Sequence, residues 1–126
     1  MKRDDDLYQQ KNLGKLGEDL AVNFLHEKGY SILHRNWHYG HKEIDIIAMD
    51  NQMLVIVEVK TRATSFWEEP KEAVRRRKQK RIIDAADAYV QSLSINAEVR
   101  FDIVSVIING KSPVIEHIED AFYPTL

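Results

Sequence analysis

The chain has 126 residues, a formal net charge of −2 and no cysteine, and 44% of its residues are hydrophobic and 30% charged. This composition is typical of a globular protein, and we expect a flexible segment at residues 1–12 before a single domain at 13–126. The sequence excludes disulfides, thiolate metal sites and long apolar runs, and its polar start is unlike a signal peptide, so we expect a cytoplasmic protein without membrane contact.

The first predicted element is an amphipathic helix at residues 13–28, where apolar residues recur at helical spacing. Asn12 is a suitable N-cap, and Gly29 stands where a glycine commonly ends a helix. Glu18 leans toward the buried side of this helix. The pattern alone is more typical of a solvated glutamate at the edge of the apolar face.

Three strands are predicted next, at about residues 30–36, 43–49 and 53–60, because these runs are rich in Ile and Val. Their short connections predict an antiparallel meander. The turn-prone stretch between the second and third strands allows a two-residue or a four-residue loop. Both loops place Asp45 opposite Glu58. Both also place Glu43 opposite Lys60.

The second strand carries charged residues within an apolar run. Because strand side chains alternate between faces, Glu43 and Asp45 should share one face. Ile44 and Ile46 should share the other face, in the core. Charged residues are rarely buried in such runs without a partner, since an unpaired ion loses its hydration.

Across the predicted hairpin, Asp45 and Glu58 form a pair of like charges that repel one another when no cation lies between them. Such an oxygen-only pair suits a hard cation, and we expect Mg²⁺ or Mn²⁺ rather than Zn²⁺. Lys60, on the same face as Glu58, is then positioned to meet an anion such as phosphate. The alternative is a set of cross-strand salt bridges on a solvated face.

A second helix is predicted at residues 70–92. Residues 99–108 are apolar on both faces, which predicts a buried strand that is parallel to the third and is reached by a right-handed crossover. A turn then leads to a last strand at 114–118. The predicted fold class is therefore α/β, with the order α-β-β-β-α-β, a mixed central sheet flanked by helices, and an extra C-terminal edge strand.

The second helix begins with a basic run, since residues 71–81 contain seven Lys or Arg and one Glu. Such a cluster is typical of a surface that contacts a polyanion. Lys78 interrupts the apolar stripe of the helix. Its position favours a snorkelling side chain whose stem covers apolar surface, and the alternative is a lysine bent back toward the acidic pair. The cations expected to contact nucleic acid are Arg75, Arg76, Lys78, Lys80 and Arg81 on the helix, with Lys42 and Arg62 near the hairpin.

Several other polar residues have no single interpretation. Asp102 lies in an apolar strand and has two interpretations. It is either a buried, hydrogen-bonded acid or a residue that supports the acidic pair. His34, His38 and His41 are close in sequence but lack a clear zinc-ligand geometry. No role is assigned to His117.

The ordered motifs resemble the PD-(D/E)XK nuclease superfamily, which combines an acidic residue, a hairpin and Glu-x-Lys at the end of an apolar strand. Within it, they are similar to a small bacterial family of uncharacterised, endonuclease-like YraN-like proteins. The chain departs from these patterns at Ile44, where the superfamily has Pro, and at Lys42, where the family usually has Gly. The matching pieces are Gly17-Glu18, Arg35-Asn36 and residues 43–48, 57–62 and 100–102.

The resemblance implies a restriction-endonuclease-like fold in which Glu18, Asp45 and Glu58 are metal ligands. It also implies that Lys60 is the catalytic lysine, with the Val59 carbonyl as a further ligand. We therefore expect a Mg²⁺- or Mn²⁺-dependent nuclease that hydrolyses phosphodiester bonds in DNA rather than RNA, including branched or repair intermediates. The alternative is a non-catalytic nucleic-acid-binding subunit that keeps the fold.

Three aromatic residues in predicted loops add a further possibility. Trp37, Phe66 and Trp67 can stack on bases, or they can fill a contact in a homodimer or larger complex. A module for protein interaction alone would have only these aromatic side chains in its favour.

Overall fold

The computed structural model describes residues 4–63, 75–94 and 96–124, with side chains from residue 12 onward. The helices are α1 (Asp4–Glu27) and α2 (Arg76–Leu93). The strands are β1 (Ser31–Tyr39), β2 (Lys42–Asp50), β3 (Met53–Arg62), β4 (Val99–Ile107) and β5 (Val114–Phe122). Neither described helix combines the length and the apolar character that a membrane crossing needs.

The described strands lie in one sheet in the order β1-β2-β3-β4-β5. Strands β1, β2 and β3 form the predicted antiparallel meander, and β4 returns parallel to β3 after α2. Strand β5 pairs antiparallel with β4 at the edge of the sheet. The mixed α/β fold predicted from the sequence is therefore confirmed, and it is consistent with a restriction-endonuclease-like core.

The sheet is covered on both faces, which explains why β3 and β4 are apolar on both sides. One face packs against Ala21 and Leu25 of α1, and the other packs against Ile82 of α2. We call these the α1 face and the α2 face. Gly17 lets α1 approach the sheet closely, because a β-carbon there would overlap the side chain of Thr61 on β3.

The ends of the helices differ partly from the prediction. Helix α1 begins at Asp4, so Asn12 lies inside the helix and does not cap it. The backbone of residues 4–12 is helical, and the division between a flexible segment and a domain stays a prediction. Gly29 ends the helix as predicted, with a positive φ of 93°. The predicted start of α2 at residues 70–74 lies outside the described residues.

The β2–β3 hairpin fixes the register of the acidic residues. A two-residue loop that begins with Asn51 joins Asp50 to Met53, and the φ of Asn51 is 55°, which suits such a turn. The predicted register is confirmed as far as the pair of Ile46 and Val57. The paired ladder ends there, so the acidic residues of the two strands lie just beyond it.

Strand β2 changes its alternation at Asp45, which corrects the prediction for its faces. Ile44 packs in the cluster of the α2 face and Ile46 in that of the α1 face, so the prediction that they share a face is wrong. Asn36 stands across from Asp45 in the β1–β2 register and has a positive φ of 52°. Both strands therefore depart from regular geometry at this level.

Candidate functional site

An open cleft of about 460 Å³ lies on the α2 face, beyond the last paired residues of β2 and β3. One wall comes from the two strands and the turn before β2, and it carries all three carboxylates of the cleft. The other wall comes from α2 and the residue before it, and it is basic. The lining residues are His41, Lys42, Glu43, Asp45, Glu58, Arg75, Arg77, Lys78, Arg81 and Ile82.

Asp45 lies where β2 leaves the ladder with β3. Its Oδ2 accepts a hydrogen bond of 2.8 Å from the Val59 N–H, in place of the backbone carbonyl that a regular ladder would supply. Burial and the neighbouring Glu58 carboxylate raise the pKa of Asp45 to about 8, although the Val59 N–H acts in the opposite direction. Two adjacent carboxyls at this position therefore resist being ionised together.

Glu58 is the more deeply buried member of the pair, with 3% of its side chain exposed. Its Oε1 lies 2.5 Å from the Nζ of Lys78, whose side chain is 49% exposed. The favoured interpretation of Lys78 as a snorkelling residue is wrong, and the alternative of a lysine bent toward the acidic pair is confirmed. Burial would lower the pKa of Lys78, but the hydrogen bond and the charge of Glu58 raise it above its ordinary value.

The helical spacing of α2 explains this contact. Lys78 precedes Ile82 by one turn, so both side chains lie on the column that faces the sheet. Ile82 is buried in the core of the α2 face. Lys78 lies at the level where that core gives way to Glu58, and its ammonium partly neutralises the pair.

The donor set of the pair fits a hard divalent cation. Asp45 and Glu58 bring carboxylate oxygens together, and Mg²⁺ commonly binds one or two protein carboxylates and completes its shell with water. Among the described residues, no three or more His, Asp or Glu side chains are arranged to hold a metal ion. Carboxylate oxygens are ligands of the kind that Mg²⁺ and Mn²⁺ prefer, whereas an enclosed zinc site takes four protein ligands, commonly Cys and His.

Glu18 does not line the cleft, although the resemblance implied that it is a ligand with Asp45. Its Oε1 accepts hydrogen bonds from Asn36 Nδ2 at 2.8 Å and from Arg35 Nη2 at 3.3 Å. The side chain is 15% exposed, so Glu18 is less solvated than the helical pattern alone suggested, and its role as a metal ligand stays a prediction. Through Asn36, which stands across from Asp45, Glu18 braces the strand beside the acidic pair.

Lys60 is half-buried near the end of β3 and does not line the cleft. It forms no hydrogen bond or ion pair with another described residue. The predicted pairing of Lys60 with Glu43 is wrong, because the β2–β3 ladder ends before it reaches them. The residues just after β3, at 64–74, lie outside the described part of the chain.

The basic residues fall into two groups. Arg75, Arg77 and Arg81 line the cleft and form no ion pair with a described residue. Arg76 and Lys80 are exposed on α2 but do not line it. The sequence analysis did not single out Arg77, although its spacing of four residues from Arg81 puts both on one helical column.

The two predicted cations near the hairpin, Lys42 and Arg62, are placed differently from the arginines of α2. Lys42 lines the cleft, but its Nζ lies 3.2 Å from Asp84 Oδ2 of α2, which ties β2 to the helix. Arg62 is half-buried at the end of β3 and does not line the cleft. The cationic wall is thus narrower than predicted and is built mainly by α2.

His34 and Trp37 of β1 pack against α2 on this face. Trp37 packs edge-on against Tyr89 of α2, with ring centroids 5.3 Å apart, and His34 contacts the same ring at 5.5 Å. His38 lies 4.0 Å from Glu43, and His41 lines the cleft, so the three histidines do not converge on one point. The two aromatic residues predicted in the loop after β3, Phe66 and Trp67, lie outside the described residues.

A second buried carboxylate lies on the α1 face, and it is fully partnered. Asp102 accepts hydrogen bonds from Arg100 Nε at 2.9 Å, Arg100 Nη2 at 2.8 Å and the Asp120 N–H at 3.0 Å. Its Oδ2 also lies 2.7 Å from His117 Nε2. Burial alone would raise the pKa of Asp102, but these hydrogen bonds lower it below its ordinary value. Asp102 is therefore the buried, hydrogen-bonded acid of the two alternatives.

His117, which had no assigned role, completes this network. Its ring packs edge-on against Phe24 and Tyr30, and its Nδ1 lies 2.7 Å from Lys28 Nζ. Arg100 extends the network to the Tyr30 hydroxyl at 2.7 Å. These contacts join α1 to β4 and β5, away from the cleft.

Comparison with known proteins identifies relatives along most of the chain. The model of a family described as "Uncharacterised protein family UPF0102" matches residues 17–106. A UPF0102 protein of Bacteroides thetaiotaomicron is 50% identical over 118 residues, which cover 94% of this chain and 98% of the relative. UPF0102 proteins of Flavobacterium johnsoniae and Christiangramia forsetii are 44% and 41% identical, and each alignment covers 91% of this chain and 97% of the relative. None of these descriptions names an activity.

Proposed function

The chain belongs to the uncharacterised protein family UPF0102, and from that premise we propose that it is a Mg²⁺- or Mn²⁺-dependent nuclease acting on DNA. The observation that carries the proposal is the pairing of Asp45 and Glu58 at one wall of a cleft whose opposite wall is basic. The resemblance of the Glu-Ile-Asp and Glu-Val-Lys pieces to the PD-(D/E)XK nuclease superfamily supports the same reaction. The proposal extends beyond the family description, which names no function.

In this proposal the acidic pair and the Val59 carbonyl hold the cation. A bound Mg²⁺ or Mn²⁺ would polarise a phosphate and activate a water molecule for attack on phosphorus. The Val59 N–H holds the Asp45 carboxylate in place, through the hydrogen bond of 2.8 Å. Glu18 acts indirectly, because its hydrogen bond fixes Asn36 on the strand next to Asp45.

The basic wall would hold the phosphodiester backbone. Arg75 at the N-cap of α2 and Arg77 and Arg81 on α2 line the same cleft as the acidic pair. Contacts between arginine and phosphate give affinity and orientation but carry no sequence information. We therefore propose a nuclease that selects its substrate by backbone shape, with branched or repair intermediates as the expected class.

Lys60 has the role of stabilising negative charge that develops on the phosphate. This role comes from the Glu-x-Lys pattern, in which Lys60 follows Glu58 by two residues on β3. Both side chains belong to the same face of the strand, since strand residues alternate. Lys60 also lacks an ion pair with any described residue, so its charge is not committed to another acid there.

The second candidate function is a nucleic-acid-binding protein without catalysis. It is favoured by the ion pair of Lys78 with Glu58, which already gives the acidic pair a counter-ion. The basic wall would serve this function equally well. The two candidates differ in whether a divalent cation binds at Asp45 and Glu58.

A panel of labelled substrates distinguishes these functions. Duplex, single-stranded, flap and four-way-junction DNA, with matched RNA, would be incubated with Mn²⁺ and wild-type protein, Asp45→Asn or Glu58→Gln. The nuclease proposal predicts cleavage of at least one DNA by the wild type and its loss in both variants. Tight binding of DNA without cleavage, equal in all three proteins, would establish the non-catalytic function instead.

A further inference from the structure

The ammonium of Lys78 lies where a cation bound by the acidic pair would have to approach. Its Nζ is 2.5 Å from Glu58 Oε1, and the Glu58 side chain is 3% exposed. Glu58 and Lys78 both line the cleft, so a cation that enters the cleft meets the ammonium at that carboxylate. In the described part of the chain, Lys78 is also the residue that forms an ion pair with Glu58.

A divalent cation and an ammonium cannot share this carboxylate without a cost. Two like charges a few ångströms apart repel strongly in a poorly hydrated site, and the carboxylate has few free oxygen positions. The Lys78 side chain, in contrast, is half-exposed and has a flexible four-carbon stem. It can leave Glu58 without unfolding α2, whose anchor in the core is Ile82 one turn later.

We propose that Lys78 is a tethered counter-ion of the Asp45–Glu58 pair that must leave Glu58 before a divalent cation binds. The metal and the lysine then compete for one carboxylate, and Lys78 sets the metal affinity of the site. The proposal rests on the proposed metal site at Asp45 and Glu58. When Lys78 is displaced, its ammonium stays on the cleft wall between Arg75 and Arg81, where phosphate would bind.

Calorimetric titration of Mn²⁺ into metal-free protein tests the competition. Lys78→Met and Lys78→Gln should bind Mn²⁺ about tenfold more tightly than the wild type, the factor that corresponds to about 1.4 kcal/mol. Lys80→Met is the matched control, because Lys80 has the same charge on the same helix but does not line the cleft. It should stay within about twofold of the wild type, since an exposed charge is largely screened.

The outcomes separate this proposal from the metal site on which it rests. Mn²⁺ binding by the Lys78 variants alone would support the competition in its strongest form. Binding by the wild type that does not tighten in the Lys78 variants, relative to Lys80→Met, would overturn the competition and leave the metal site standing. No binding by any of the proteins, with fold confirmed by circular dichroism, would overturn both.

A measurement on the wild type covers the case in which the Lys78 variants do not fold. In protein labelled with ¹⁵N-lysine, Mg²⁺ should shift the Nζ signal of Lys78, because its contact with Glu58 is lost, and the signal of Lys80 should not move. An unmoved Lys78 signal in protein that binds Mg²⁺ would overturn the proposal.

Discussion

The two faces of the sheet each hold buried carboxylates, and they are partnered in opposite ways. Asp102 on β4 stands beside Val57 on β3, next to Glu58, but its side chain belongs to the α1 face. It accepts a backbone N–H, as Asp45 does, at a point where the strand pairing is irregular. Asp102 receives a full set of donors, whereas Asp45 and Glu58 lie against one another, and the ion pair with Lys78 is made by Glu58.

The difference shows which region holds the fold and which is available for function. Hydrogen bonds lower the pKa of Asp102, whereas burial and Glu58 raise that of Asp45 to about 8. A satisfied buried network stabilises the fold, and a pair of like charges in a cleft lowers stability unless a ligand binds there. The Asp102 network is therefore structural and the acidic pair is the candidate site.

The largest expected effect is on stability, at the Asp102 network. Asp102→Asn removes the buried charge that Arg100 and His117 share and leaves the guanidinium only the more exposed Asp50, and this should lower the free energy of unfolding by about 3–5 kcal/mol. Urea denaturation measures it. Asp50→Asn is the control, because Asp50 contacts the same arginine at 3.2 Å from a more exposed position and should cost no more than about 1 kcal/mol. Equal losses in the two variants would remove the contrast between the regions.

The next effect is on catalysis, at Lys60 near the end of β3. Lys60→Ala should lower the cleavage rate by about 10²–10³, the usual loss when one preorganised electrostatic contact is removed. Affinity for DNA should change little, because the contact is made with charge that develops in the transition state. Single-turnover cleavage and a binding titration measure the two quantities. A fully active variant would show that Lys60 has no part in the reaction.

The pH dependence of stability should differ in sign between the two carboxylates. Asp45 has a folded pKa of about 8, above its ordinary 3.8. Its contribution to the free energy of unfolding is therefore present at low pH and is lost as the pH rises toward 8. Asp102 has a lowered folded pKa, so its contribution is present above 3.8 and is lost as the pH falls through the folded value. Denaturation in EDTA across this pH range should show that Asp45→Asn loses less stability than the wild type as the pH rises toward 8. An unchanged profile in that variant would contradict the raised pKa.

The smallest effect concerns the basic wall. Arg75→Ala with Arg77→Ala should weaken binding of all DNA sequences alike, and should reduce the slope of log K against log salt by about 2, one unit for each lost phosphate contact. The control is Arg76→Ala with Lys80→Ala, which removes the same charge from the same helix outside the cleft. If both pairs change the slope equally, the helix binds DNA along its exposed side instead.

The sequence predicts the acidic pair because the relevant signals are local. A tight turn fixes the register of the hairpin, and the register brings Asp45 and Glu58 to the same level. The break in alternation between Ile44 and Ile46 carries no such signal, because it arises where β1 and β2 distort together around Asn36.

The contacts that the sequence analysis missed or ranked second join residues far apart in the chain. Lys78 reaches Glu58 across the helix–sheet packing, and Asp102 meets His117 from the neighbouring strand β5. Helical periodicity places Lys78 on the inner column but gives no partner, so the more common snorkelling lysine is preferred. A buried histidine such as His117 has no local pattern at all, because its partners come from α1, the turn after it and β4.

The central claim is that the Asp45–Glu58 pair is an incomplete site completed by a divalent cation. Thermal melts of wild-type protein and Asp45→Asn, in EDTA and in millimolar Mn²⁺, test it most directly. The account predicts that the variant melts higher than the wild type in EDTA, because the like-charge pair is gone, and that Mn²⁺ raises the melting temperature of the wild type alone. A variant that melts lower in EDTA and keeps the whole Mn²⁺ shift would contradict the claim, since Asp45 would then be a structural residue and the cation would bind elsewhere.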